Sequence, residues 1–384
     1  MKITGIICEY NPLHRGHKKQ LDMVRAKNPD GGIVCLMSGN FVQRGAPAII
    51  DKSLRAKAAV LSGADLVLEL PVTASLSSAE GFAAAGVSIL SPFCDDLCFG
   101  AEDADEAALM QLAAVLLSED FSTVLRTELE QGVSFPAARQ AALESMGLDA
   151  AILQKPNNIL AVEYCKAILQ QGSAMQIMPI ARGGDYHDLQ ADAENPSATA
   201  LRALMQEEKS WTEFVPAEAI DCLKNAVVHT LQAGEKAILA KLRTMTDEEF
   251  EALPYGSEGL WRKLMHASRK EATLEDILSA TKSKRYTRTR LDRMVMCAFL
   301  GITDELLHTP VPYVRVLAFN DRGREILKIA RQSGDFPNAG QEMEHPYQAL
   351  ENYWGDLYGL FADQTGAPGA ERRRRVYYNG GVRL

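Results

Sequence analysis

Short apolar runs alternate with stretches of helical period through the first half of the chain. Residues 3–8 (ITGIIC), 33–37 (IVCLM), 65–70 (DLVLEL) and 95–99 (DDLCF) are short, mainly apolar, and end at turn or polar residues. Between them, segments such as 16–27 and 51–62 carry apolar positions at helical spacing. Strands alternating with helices at this interval predict a parallel sheet covered on both faces. Ligands of such sheets sit beyond the carboxyl ends of the strands, near the switch point. Chemistry is therefore expected in the segments that follow the strands: EYNPLHRGH, SGNFVQRG, PVTAS and GAED.

Residues 103–150 read as helical with a weak acidic face, and a Lys-Pro-Asn-Asn turn at 155–158 precedes the helical pattern ILAVEYCKAIL. QIMPIA at 176–181 is a further strand candidate, followed by a glycine-rich turn, RGGDYHD, and a helix start at SATALRALM. Helical patterns dominate from about 206 to 310, and 311–331 reads as strand, turn and helix. The expected architecture is α/β, in two parts. Residues 1–205 form a doubly wound parallel-sheet domain, and residues 206–384 a mainly helical region with a small α/β end. No internal repeat stands out.

Composition narrows the class. The 384 residues are 47% hydrophobic and 24% charged, ordinary values for a soluble globular chain. A chain of this length buries roughly three quarters of its unfolded surface, which excludes pervasive disorder and a small disulfide-stapled scaffold. No apolar run reaches the length of a membrane span, so no membrane association is expected. The segment MKITGIICEYNPLHRGH turns polar too soon for a secretion signal. A cytoplasmic location is expected, with the seven cysteines reduced. Cys94 and Cys98 form the one close pair, and without a second pair they are not expected to hold a metal.

The formal net charge of −9 argues against a surface coated with nucleic-acid contacts. The average hides an asymmetry: KSKRYTRTRLDR at 282–293 holds six Lys or Arg and one Asp, and a second run spans Arg372 to Arg375. An acidic body with local basic patches fits a protein that touches a polyanion at one place.

The sharpest local signal is NPLHRGHKKQL, residues 11–21. Pro12 fixes the turn after a strand, and Gly16 admits close backbone approach. His14 and His17 are three apart and share a face if a helix begins there. A helix N-terminus attracts phosphate, and two imidazole donors beside it suit charge that develops during displacement. A helix start with incidental histidines explains the spacing equally well.

HRGH resembles the HxGH signature of the nucleotidylyltransferase superfamily. EYNPLHRGH, MSGNFVQRG, GADLVLELP, FGAE and KPNNILAVEY, in that order, resemble the tRNA(Met) cytidine acetate ligase family, as do GSEGL at 256–260 and KRYTRTRLDR at 284–293. The resemblance runs from residue 1 to about 300. It implies an enzyme that joins acetate to ATP, forming acetyl-adenylate, and passes the acetyl group to N4 of the wobble cytidine of elongator tRNA(Met). Magnesium is expected on the leaving pyrophosphate without an obvious carboxylate cage. DNA is not an expected partner. Two alternatives stay open: an adenylyltransferase for a small metabolite, and a non-catalytic ATP-dependent RNA-binding protein.

Carried over by position, the resemblance places ATP on the strand end and loop of residues 7–20: Ile7, Cys8, Glu9, Tyr10, Asn11, Pro12, Leu13 and Gly16. His14 and His17 face the phosphates as catalytic residues. Further ATP contacts fall on Gly100, on Asn157 or Asn158, and on Arg182. Ser197 and Thr199 in SATALR bind the outer phosphates, with Arg202 adding charge, although that segment alone is also an ordinary capped helix.

Ser38, Asn40 and Gln43 are candidates beside acetate, with Arg44 able to meet a carboxylate or phosphate; a plain surface loop is the alternative. Asp51 and Lys52 read as a helix cap with a phosphate-facing or solvated lysine. Lys284, Arg285, Tyr286, Arg288 and Arg290 are the candidate tRNA contacts, with Tyr286 available to stack on a base. A solvated helix face is the alternative there. Arg372–Arg375 with Tyr377 and Tyr378 would extend that track. His187 between Asp185 and Asp188 reads as a turn, and Glu258 as structural.

Overall fold

The computed structural model describes residues 1–148, 150–181 and 196–380. Nine strands are found: β1 (Ile3–Cys8), β2 (Gly32–Ser38), β3 (Phe41–Val42), β4 (Ala46–Pro47), β5 (Leu66–Leu70), β6 (Asp96–Ala101), β7 (Gln176–Ala181), β8 (Val316–Asn320) and β9 (Tyr377–Asn379). Seven of them make one sheet in the order β7-β6-β1-β2-β5-β8-β9. The pairs from β7 to β5 are parallel, as the alternation of strands and helices predicts. β3 and β4 form a separate hairpin.

Period-two alternation along buried strands explains the two covered faces. In β2, Val34 and Leu36 enter one core, while Ile33, Cys35 and Met37 enter the other. The first core is closed by helices such as Ala79–Leu90 and Pro156–Gln171. The second is closed by Arg15–Lys27 and Lys52–Leu61, through Leu21, Val24, Ala56 and Val60. The helical stretch 103–150 resolves into three helices, two of them entered at Ser118 and Ser134. The KPNN turn is itself the helix start: Pro156 takes the first helical position, so Asn157 and Asn158 sit in the first turn.

The chain leaves β1 toward β2 and β5 on one side, then returns to lay β6 and β7 on the other. The switch point is thus between β1 and β6, and their carboxyl ends meet there.

The helical region from 206 builds its own core around Leu242, Leu264, Met294 and Trp354, which also receives Phe41, Val72 and Leu76. Beyond it the chain rejoins the sheet. β8 lies antiparallel to β5, and β9 lies parallel to β8. Asn320 caps the helix Asp321–Ala330 directly, so no separate turn follows the strand. The small α/β end therefore completes the first sheet. A division at 205/206 remains a proposal about which segments meet RNA, and it is not a break in the sheet. Among the described residues, no single helix is long and apolar enough to cross a membrane.

Candidate active site

The end of β1 runs into a turn that Tyr10 enters at φ +45°, a conformation side-chain-bearing residues seldom take. This brings the Tyr10 ring behind His17, with centroids 4.9 Å apart. His14 is the N-cap of the helix Arg15–Lys27, and its Nδ1 accepts from the Gly16 N–H at 3.1 Å. His17 reciprocates: its Nδ1 accepts from the His14 N–H at 3.3 Å. The two imidazoles form a capping box, a role usually held by Ser or Thr with Glu or Gln. The rings stack with centroids 3.6 Å apart.

This arrangement settles the tautomers. A nitrogen that accepts from a backbone N–H carries no proton, so each neutral ring carries its proton on Nε2. The helix start therefore supplies two fixed Nε2–H donors beside its own N–H groups. Gly16 leaves room for this geometry, because a Cβ there would stand 3.0 Å from His14 Cε1 and 3.1 Å from its Nδ1, a tight contact.

Both histidines open onto a cavity of about 430 Å³ at the switch point. The caps of three helices reach its wall: His14, Ser197 before Ala198–Gln206, and Thr230 before Leu231–Thr244. Asn157, in the first turn of Pro156–Gln171, joins them. Four helix starts at one cavity concentrate partial positive charge where an anion would sit. Among the described residues, the charged groups on the wall are Lys19, Arg44 and Arg202 against one carboxylate, Glu9. In a chain of net charge −9 this is a local inversion suited to a polyphosphate. Arg202 also ties two of the helix starts together, donating to the Asn11 carbonyl at 2.9 Å and to Thr199 Oγ1 at 3.0 Å.

Of the nucleotide positions expected from sequence, Ile7 to Asn11, Gly16, Gly100, Asn157, Ser197 and Thr199 line this cavity. Arg182, Asp185, His187 and Asp188 lie outside the described residues. Pro12 and Leu13 are buried and form no part of the wall. Asn158 is turned away from it. Its Oδ1 accepts from the Glu102 and Asp103 N–H groups at 2.9 and 3.0 Å, which makes it the clamp of the loop after β6.

The acetate candidates separate in the same way. Gln43 and Arg44 line the cavity, but Ser38 and Asn40 do not. Ser38 is the buried end of β2. Asn40 is spent on structure, donating to Asp51 and accepting from the Lys52 N–H at 2.8 Å.

Lys52 is neither phosphate-facing nor solvated. It is buried between Glu69 and Glu371, at 2.6 Å from each. Burial alone would lower its pKa; Glu371 and Glu69 outweigh that and raise it. Arg374 completes this cluster, which removes it from any surface track.

In the basic stretch, Lys284 and Arg285 are exposed. Arg285 and Tyr286 both bond to Glu258, at 2.9 and 2.7 Å, which gives that glutamate its structural part. Arg288 holds Glu275 with two bonds of 2.8 and 2.7 Å. Arg290 donates to the Tyr255 carbonyl and to Ser257 Oγ, and lies over the Tyr286 ring. Arg288 and Arg290 thus serve the protein's own packing first.

Sequence reasoning missed the third wall of the cavity, His229, Thr230 and Leu231. No local motif marks it, because tertiary contacts deliver it there: the His229 N–H donates to the Ile49 carbonyl at 2.9 Å.

The chain matches the HIGH Nucleotidyl Transferase family model over residues 1–354. It is 36% identical over 373 residues to the tRNA(Met) cytidine acetate ligase of Clostridium acetobutylicum, with 91% of this chain and 92% of that one covered. To the enzyme of that name from Clostridium novyi it is 38% identical over 356 residues, covering 88% and 89%. Among solved structures, apo Thermotoga maritima TmcAL superposes with a TM-score of 0.90 at 29% identity, over 99% of this chain and 100% of that one. The same Thermotoga protein bound with alpha-thio ATP superposes at 0.87, with the same identity and coverage.

Proposed function

The chain belongs to the HIGH nucleotidyl transferase family and, within it, to the tRNA(Met) cytidine acetate ligases, and from that membership we infer that it is an ATP-dependent ligase joining acetate to a cytidine of tRNA(Met). The metabolite adenylyltransferase and the non-catalytic RNA binder are thereby set aside. The reaction proposed in detail has two steps. An acetate oxygen attacks the α-phosphorus of ATP, forming acetyl-adenylate as the bond to the pyrophosphate oxygen breaks. N4 of the wobble cytidine of elongator tRNA(Met) then attacks the acyl carbon, and AMP leaves.

The observation that carries this reading is the capped histidine pair at a cavity where four helix starts converge. His14 and His17 donate from Nε2 to phosphate oxygens whose charge grows in the transition state. Ser197, Thr199 and Arg202 hold the outer phosphates. Gly100 and Asn157 meet the adenosine end, with Arg182 as a further contact to the nucleotide. Gln43 and Arg44, which line the same cavity, hold acetate. No enzyme nucleophile is needed, since positioning and charge stabilisation supply the rate.

Magnesium is expected with the triphosphate. Among the described residues, Glu9 is the one carboxylate on the wall, and no cluster of three His, Cys, Asp or Glu able to hold a metal is found. The ion would be carried by phosphate oxygens and water, and no step here is routed through it. The cytidine must leave the anticodon stack to reach the acyl carbon.

Two measurements test the reading. The purified protein should exchange labelled pyrophosphate into ATP only when acetate is present. Elongator tRNA(Met) from cells lacking the gene should lose N4-acetylcytidine by mass spectrometry. Exchange without acetate, or an unchanged tRNA, refutes it.

A further inference from the structure

We propose that His229 is the proton acceptor of the second step, taking the proton that N4 of cytidine releases as it attacks acetyl-adenylate. This rests on the ligase reading above. None of the family motifs includes the residue, and the helical region contributes it to the same cavity wall as His14, His17 and Arg202.

The ring is held on one face and at one nitrogen. Its plane stacks on Tyr358, with centroids 4.0 Å apart and 15° between planes. Tyr358 in turn donates from its hydroxyl to the Ala48 carbonyl at 2.8 Å. The His229 backbone bonds to Ile49, and the Ile49 N–H donates to Asn11 Oδ1 at 2.8 Å. Two hydrogen bonds therefore set His229 relative to the turn that carries the histidine pair.

Its tautomer is the opposite of theirs. His229 Nδ1 stands 3.1 Å from the Val227 carbonyl, which only accepts, so Nδ1 carries the proton. Nε2 then keeps its lone pair. Among the described residues the cavity thus has two imidazoles that donate and one that accepts, and each assignment is made by a backbone group. Donors suit phosphate oxygens in the first step, while an acceptor suits an amine that must lose a proton in the second.

Burial disfavours the imidazolium form of His229 and lowers its pKa. Asp51 and the Val227 and Ile49 carbonyls oppose this, and Arg55 reinforces it. Tyr358 is the other titratable group facing the ring, and burial raises its pKa well above the usual phenol range. In the transfer, the N4–carbonyl bond forms, the acyl–phosphate oxygen bond breaks, AMP leaves as the anion, and the N4 proton passes to Nε2.

The partial reactions separate this proposal from the reading it rests on. Two variants are compared: His229→Asn, whose amide can still donate to Val227, and His229→Phe, which keeps the stack on Tyr358. Both should retain acetate-dependent pyrophosphate exchange within about threefold. Single-turnover transfer from preformed acetyl-adenylate to tRNA(Met) should fall by about 10²–10⁴. The parent's transfer rate should also drop on the acid side, where His229 protonates, and the variants should lack that limb. Transfer within threefold of the parent in either variant overturns the proposal, as does an equal loss in both partial reactions. If the parent itself shows no acetate-dependent exchange, the ligase reading fails instead.

Discussion

Arg374 grips Asp51 across 323 positions of chain, with guanidinium bonds of 2.6 and 2.7 Å to its two carboxylate oxygens. Its Nε also holds Glu371 at 2.7 Å, and Glu371 holds Lys52. The buried cluster joins the end of the chain to Asp51, the cap of the helix Lys52–Leu61, and through Asn40 to the loop that carries Gln43.

Removing one member of such a cluster leaves its partners charged and uncompensated. Arg374→Ala should therefore cost about 3–5 kcal/mol by denaturant unfolding at neutral pH. The pH dependence follows from Asp51. Burial alone would raise its pKa, but Arg374 outweighs burial and holds it well below the usual range. A depressed folded-state pKa gives stability that is complete above the unfolded value, about 3.9, and is lost as pH falls below it. The gap between parent and variant should be flat from pH 6 to 8 and shrink below about pH 4. A gap under about 1 kcal/mol at pH 7 would show the cluster to be dispensable.

Gly16 gives a test in which stability and activity part. Its φ is not in the left-handed region, so alanine suits the backbone and should add up to about 1 kcal/mol of helix stability. The new methyl would press on His14 Cε1 and Nδ1, at 3.0 and 3.1 Å, and turn the ring from its cap. Gly16→Ala should thus melt no lower than the parent while pyrophosphate exchange falls at least about tenfold. Full exchange activity would mean that the His14 orientation is immaterial.

His17 has two duties that substitution can divide. Its Nδ1 closes the capping box, and the residue lines the cavity. Glutamine at this position of a helix can reach back to the cap N–H as well. His17→Gln should keep the stability of the parent, while His17→Ala should lose about 1 kcal/mol. Pyrophosphate exchange should fall by about 10²–10³ in both, because neither restores the ring donor. An active glutamine variant would assign His17 to capping alone.

Six of the sheet's seven strands and the helix starts at His14 and Ser197 were legible because periodicity and capping are local; β9 was not, since Tyr377 and Tyr378 read as part of a basic track. What was not legible is long-range. Nothing around VLAFN announces that it will pair antiparallel with β5, since that partner is about 250 residues earlier. Lys52 looks like a surface lysine until Glu69 and Glu371 arrive from opposite ends of the chain. The choice between Asn157 and Asn158 depends on which face of a first turn meets the loop after β6. Ser38 reads as following a strand, as site residues do, yet it is the buried end of β2, Asn40 is drawn to Asp51 and Lys52, and the turn between β3 and β4 puts Gln43 at the cavity.

The basic stretch illustrates the same limit and yields a sharper test of tRNA binding. Replacing Arg288 or Arg290 removes bonds to Glu275, Tyr255 and Ser257, so weaker binding would be confounded with damaged packing. Lys284 and Arg285 are exposed, and Arg285 has only the exposed pair with Glu258 to give up. Exposed pairs contribute little to stability, about 0–1 kcal/mol. Lys284→Ala with Arg285→Ala should therefore leave unfolding unchanged and acetate-dependent exchange intact. Affinity for tRNA(Met) should fall, and the slope of log affinity against log salt should flatten by about 0.7 for each phosphate no longer neutralised. Binding with the parent's affinity and slope would assign this stretch to packing, and place the RNA on another face of the helical region.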